Sequence, residues 1–125
     1  MQLDHLNLFV SDLAASRAFY EALLPGEGLP VNRDFPDVAV GFGHSNYAVF
    51  ALVQHTEPVQ PIHVAFRVDS RSDVERLYAL AIDHGAVDYG APGPRPHYHE
   101  HYFAGFVLDP DKHILEFVCH TPPGR

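Results

Sequence analysis

The chain says the same thing twice, and that repeat limits its fold more than any other feature. Residues 3–10, Leu-Asp-His-Leu-Asn-Leu-Phe-Val, lead through Ser11-Asp12 into an apolar-periodic run. Residues 61–68, Pro-Ile-His-Val-Ala-Phe-Arg-Val, lead through Asp69-Ser70 into another. His5 matches His63, Leu6 matches Val64, Leu8 matches Phe66 and Val10 matches Val68, at a spacing of 58 residues in a chain of 125. Whatever architecture one half adopts, the other is expected to adopt too.

Each half opens with a strand of period two. Leu6, Leu8 and Val10 face one way, and His5, Asn7 and Phe9 the other. Val64, Phe66 and Val68 repeat the first face, and His63, Ala65 and Arg67 the second. The aliphatic faces need a helix against them, so both histidines belong to the opposite face. A helix follows each strand. Asp12 caps the first, whose apolar side is Leu13, Phe19, Tyr20, Leu23 and Leu24, and Pro25-Gly26 stops it. For the second, Ser72 with Glu75 forms a possible capping box and Ser70 is an equal alternative. Val74, Leu77, Tyr78 and Ala81 then fall at helical spacing, and Gly85 ends the run. Hairpins come next: 37–43 with 46–53, then 102–108 with 113–119, with weaker strands near 28–33 and 86–90. The expected fold is α+β. Two βαβββ modules, 1–57 and 58–125 of a single domain, form a cupped, incomplete β-barrel with helices outside and the first strands meeting in one cleft.

Composition removes several function classes. A net charge of −8 with eight Lys and Arg argues against a nucleic-acid surface. No apolar run reaches the roughly 18 residues that span a bilayer, and Met-Gln-Leu-Asp-His lacks the features of a secretion signal. Cys119 is the single cysteine, which fits a reducing cytosol. It is expected to be packed, and His120 with the tail to be a frayed end.

In His113-Ile114-Leu115-Glu116-Phe117-Val118, Leu115 and Phe117 pack one way and Glu116 points the other. A lone carboxylate in an apolar strand is costly unless paired or bound to metal. His5, His63 and Glu116 on one face would make the two-histidine, one-carboxylate set of open metal sites, suited to zinc, manganese, nickel or iron(II). The stretch Arg95-Pro96-His97-Tyr98-His99-Glu100-His101-Tyr102 is the second concentration of polar chemistry. Extended, it would place His97, His99 and His101 on one face, but a solvated loop is the expectation for His97 and His101.

The stretch His-Leu-Asn-Leu-Phe-Val-Ser-Asp-Leu-Ala-Ala-Ser-Arg-Ala-Phe-Tyr near the start, and Phe-Val-Leu-Asp-Pro-Asp-Lys-His-Ile-Leu-Glu at 106–116, resemble the vicinal oxygen chelate superfamily of glyoxalases, bleomycin resistance proteins and extradiol dioxygenases. The resemblance covers nearly the whole chain. It implies a small-molecule substrate, a homodimer, and metal ligands at His5, His63 and Glu116, with Phe50 at the fourth ligand position. Phe50 cannot ligate and is placed instead with Asn7, Arg95 and Tyr102 as substrate-binding; Gln54 lies too far along its strand to substitute. Three ligands resemble extradiol dioxygenases and fosfomycin-resistance thiol transferases more than glyoxalase I. Lys112-His113 stands where relatives carry Gly-Asn, a change expected to affect the turn and not the site. The segment from Arg95 to Tyr102 is similar to one that borders the cleft in small glyoxalase-like proteins. It makes Tyr98 and His99, with Glu116, the candidate catalytic groups. The implied function is a metal-dependent lyase or isomerase of glyoxalase type, with an extradiol dioxygenase or a non-catalytic antibiotic-binding protein as alternatives.

Overall fold

The structure, a computed structural model, describes residues 1–123 in two compact units, Met1–Gln60 and a second beginning at Pro61. Of the expected frayed tail, Gly124 and Arg125 lie outside the described residues.

The first unit runs β1 (Leu6–Val10), α1 (Leu13–Leu23), a 3₁₀ turn at Pro25–Glu27, β2 (Val31–Phe35), β3 (Ala39–His44) and β4 (Tyr47–Gln54). Its sheet has the order β1-β4-β3-β2, with β1 parallel to β4 and the other pairs antiparallel. Alternation sorts the faces as the sequence implies. Leu8 and Val10 are buried while Asn7 and Phe9 are exposed. Leu13, Phe19, Tyr20 and Leu23 of α1 bury against the face that carries Val40, Phe42, Phe50 and Leu52. Asp12 caps α1, accepting from the Ala15 N–H at 3.1 Å. Gln54 ties the far end of β4 to the helix: its Oε1 accepts from Leu13 N–H at 2.9 Å and its Nε2 donates to Ser11 O at 2.8 Å.

The second unit repeats the plan with β5 (His63–Arg67), α2 (Arg71–Asp83), β6 (Val87–Pro94), β7 (Phe103–Leu108) and β8 (Ile114–Cys119), in the order β5-β8-β7-β6. Val74, Leu77 and Ala81 of α2 are buried, as are Val107, Leu115, Phe117 and Cys119 of the sheet. Ser70 caps α2, its Oγ accepting from Asp73 N–H at 3.1 Å. The alternative box on Ser72 and Glu75 is not formed, because the helix has already begun at Arg71. Gly85 (φ 97°) lets the chain leave α2 in the left-handed region. Both units are therefore βαβββ modules of an α+β fold.

The turn joining β7 to β8 holds one strained residue, Lys112, at φ 67°. A side chain costs about 1–2 kcal/mol in this region, and glycine returns about 0.5–1 kcal/mol of that as chain entropy. Lys112→Gly should therefore raise the unfolding free energy by about 0.5–1 kcal/mol, seen as a higher urea midpoint at unchanged slope.

Candidate active site

The chemistry of the second unit gathers on the sheet face away from α2. Gly105 lies opposite Phe117, and a Cβ there would meet Tyr78 of α2 at 3.4 Å, so Phe117 and Leu115 belong to the helix side. Glu116 points the other way, between Ala65 of β5 and Phe106 of β7. It is only 2% exposed. Its carboxylate is met on both oxygens: His63 Nε2 donates to Oε1 at 2.7 Å, and the Tyr102 hydroxyl donates to Oε2. Half of the His63 side chain remains open to solvent.

Tyr102 reaches Glu116 because the preceding segment folds back on itself. Tyr98 N–H donates to Arg95 O, Tyr102 N–H to His99 O, and Arg95 N–H closes the loop on Tyr102 O at 2.7 Å. The segment is turned rather than extended, so His97, His99 and His101 share no strand face. The turns instead bring the Tyr98 and Tyr102 rings to 5.1 Å, with His120 5.2 Å from Tyr102 and 5.3 Å from His99. Arg95 donates to the Ala91 and Pro94 carbonyl oxygens and lies 5.4 Å over the Phe106 ring. Burial, then donation to Glu116, raises the Tyr102 phenol from 10.0 to about 12. Burial first, then Arg67 and His99, lowers the His120 imidazole.

His120 was not among the residues the sequence nominated, since it reads as part of a loose tail. The available signal was parity: Glu116, Val118 and His120 alternate onto one face of β8 and its extension. His63, Glu116, Tyr98, His99 and Tyr102 are brought together, and Arg95 stands beside them.

In the first unit, His5 precedes β1, is exposed, and pairs through Nδ1 with Asp4 at 2.8 Å. Asn7 is exposed on the open face of β1. Phe50 corrects an expectation. It is 2% exposed and packs on Tyr20 of α1, 5.2 Å between rings, so it is a core residue on the helix side and no part of a substrate surface. Its strand register explains why. Leu6 pairs with Phe50 and the repeat-equivalent Val64 pairs with Leu115, so Phe50 matches Leu115 and the counterpart of Glu116 is Ala51. Among the described residues of the second unit, no further His, Cys, Asp or Glu joins His63 and Glu116 in a group of three.

Two βαβββ modules, one carrying a buried carboxylate under an imidazole, define a class of small-molecule-binding proteins. The chain belongs to the glyoxalase/bleomycin resistance protein/dioxygenase superfamily, whose family model matches residues 2–117. Members bind small-molecule substrates and commonly a divalent metal. Similar solved structures include a family enzyme from Burkholderia phytofirmans, 20% identical, covering 97% of this chain and 100% of its own, with TM-score 0.72. A glyoxalase/bleomycin resistance protein from Albidiferax ferrireducens is 20% identical, covering 93% and 96%, with TM-score 0.77. A lactoylglutathione lyase from Agrobacterium tumefaciens is 17% identical, covering 94% and 92%, with TM-score 0.72. At these identities the likeness is one of fold. No functionally curated protein matches the chain.

The raised Tyr102 value has a signed consequence in the metal-free chain. A phenol whose folded value exceeds its unfolded one contributes stability below about pH 10 and loses it as pH rises towards 12. Subtracting the alkaline phenolate absorbance titration of Tyr102→Phe from that of the parent should isolate one group ionising near 12. The stability gap between the two proteins should be constant below pH 10 and shrink above it. A difference curve centred at 10 contradicts the assignment.

Proposed function

We propose that the chain is a divalent-metal-dependent enzyme of glyoxalase type, a lyase or isomerase acting on a small molecule that chelates through two adjacent oxygens. The observation that carries this reading is the buried Glu116 carboxylate with His63 Nε2 at 2.7 Å. An imidazole nitrogen and a carboxylate oxygen this close suit neighbouring positions on one ion, whose bonds to such atoms run about 2.0–2.2 Å. His5, the repeat equivalent of His63, supplies the third ligand. Its bond from Nδ1 to Asp4 is the carboxylate–histidine pairing that fixes a ligating ring and leaves Nε2 as the donor. Zinc, manganese, nickel or iron(II) accepts this set. When bound, the ion supplies Lewis acidity towards the substrate oxygens.

The chain's own groups divide the remaining work. Tyr102 holds the Glu116 carboxylate in one orientation through Oε2 and borders the substrate. Tyr98 and His99, whose rings pack against Tyr102 and His120, move a proton to or from the substrate. Arg95, seated over Phe106, and Asn7, on the open face of β1, bind its polar ends. We read the protein as a cytosolic homodimer without a nucleic-acid partner, in keeping with its acidity and its single buried thiol.

A second reading is favoured by Ala51. With no donor there, at most three side chains hold the metal, as an extradiol dioxygenase requires for substrate and oxygen to bind together. Anaerobic loading with iron(II), then catechols in air, separates the two: ring opening selects the dioxygenase.

Protein purified without chelator should carry about one divalent ion per chain by elemental analysis. His63→Ala and Glu116→Gln should each weaken binding by more than about 10-fold, since even outer-shell partners are worth 10–100-fold. Stoichiometric metal absent from the parent, or retained in both variants, removes the metal reading and leaves a non-catalytic binder. Tyr98→Phe or His99→Gln should lower turnover by about 100-fold or more with ligand affinity little changed; unchanged turnover in both removes their assignment.

A further inference from the structure

The final hairpin contains a buried histidine that none of the roles above uses. His113 is 2% exposed. Its Nδ1 accepts the Ile62 N–H at 3.0 Å, one residue before His63. Its backbone is fixed at the same time: His113 N–H donates to Asp109 Oδ1 at 2.9 Å and Asp109 N–H donates to His113 O at 3.0 Å. The imidazole therefore links a rigid turn to the start of β5.

The first unit supplies an internal control. Matching Phe50 to Leu115 makes Ala48 the counterpart of His113 and Asp4 the counterpart of Ile62. Alanine offers no side-chain acceptor. There the parallel ladder begins at Leu6↔Phe50, and His5 lies outside the strand. In the second unit the ladder begins one residue earlier, at His63↔Ile114, and His63 is the first residue of β5. The extra rung coincides with the side chain that supplies an acceptor where backbone pairing gives out at the turn.

We propose that His113 is a positioning residue: it extends β5 by one rung and so fixes the His63 imidazole against Glu116. The acceptor role requires Nδ1 to carry no proton. Because β5 is an edge strand, paired on one side by β8 alone, loss of the His113 bond leaves the Ile114 N–H to Ile62 O bond at 2.8 Å as the one backbone tie at this end of the ladder, and His63 is held less firmly in register. The substitution at Lys112-His113 thus reaches beyond the turn. Its bearing on metal binding rests on the ligand reading above; its bearing on the His63–Glu116 pair does not.

The test compares the full chain with His113→Leu, which keeps bulk without an acceptor, and His113→Asn, whose Oδ1 accepts from nearly the same place. In His113→Leu, amide exchange at Ile62 and Val64 should speed up about 10-fold or more while Leu115 and Phe117 stay protected. The ring-nitrogen NMR signature of His63 bonded to Glu116 should fade, and cobalt(II) affinity should fall about 10-fold, the lower end for an outer-shell partner. His113→Asn should restore all three. Unchanged exchange and His63 signature in His113→Leu overturn the proposal, as does a His113→Asn that behaves like it. If His113→Leu does not fold, the parent alone decides: a through-hydrogen-bond N–N coupling between the Ile62 amide and His113 Nδ1 is expected, and its absence overturns the assignment. A parent that binds no cobalt while His113→Leu still loses the His63 signature discards the metal reading and keeps this one.

Discussion

An ionised carboxylate taken out of water into a β-sheet costs several kcal/mol unless donors replace the lost hydration. Glu116 is that group here, and much of the second unit is arranged to meet it. The strand that opens the module brings His63 to Oε1, and the doubled turn of residues 95–102 brings the Tyr102 hydroxyl to Oε2. The compensation is complete on both oxygens but of unequal kind. Tyr102 is partly buried and closed in by other rings, whereas His63 is half open. A ligand arriving at this carboxylate therefore meets a fixed phenol on one side and an imidazole that can exchange partners on the other.

The two modules show how one scaffold is kept while its chemistry is changed. At paired positions on the open face, the first unit carries Gly41 and Ala51, and the second carries Phe106 and Glu116. Val40-Gly41-Phe42 and Ala104-Gly105-Phe106 look alike in sequence but do not occupy equivalent places in the two modules. Gly41 belongs to the open face with Ala51, while Gly105 lies under α2 beside Tyr78. Aligning the glycines shifts the match by one residue, and in a strand one residue exchanges the faces. The same shift of one exchanges Phe50 for Ala51. Neither residue offers a donor, so this strand position lacks a ligating side chain in either register.

What was legible in the sequence is what has a period. The faces of β1 and β5, the Asp12 cap, the Gly85 stop and the direction of Glu116 away from Leu115 and Phe117 were all readable from alternation, helical spacing or capping residues, and all are present. The segment from Arg95 to Tyr102 has no period, because its shape comes from backbone bonds between residues three and seven apart, which side-chain type does not announce. Between Ser70 and Ser72 the choice of cap depended on where the first helical residue fell, a matter of one position. His120 was hidden for another reason: it follows the last strand residue, where sequence offers only the expectation of fraying, yet the strand's alternation continues through it and the rings of His99 and Tyr102 pack against it.

His113 marks the limit of reading from sequence most clearly. As a residue type, a histidine after a turn suggests solvent or a ligand, and nothing local distinguishes these from burial. Its role becomes visible only once β5, fifty residues earlier, is known to lie against β8, so that an Ile62 N–H needing a partner meets a ring nitrogen able to accept. A partly buried backbone donor at the end of a ladder favours a partner within the protein, and any acceptor of the right reach supplies one. The contact itself is therefore interchangeable between residue types. What is particular to this chain is the position it serves, one residue before the imidazole that meets Glu116.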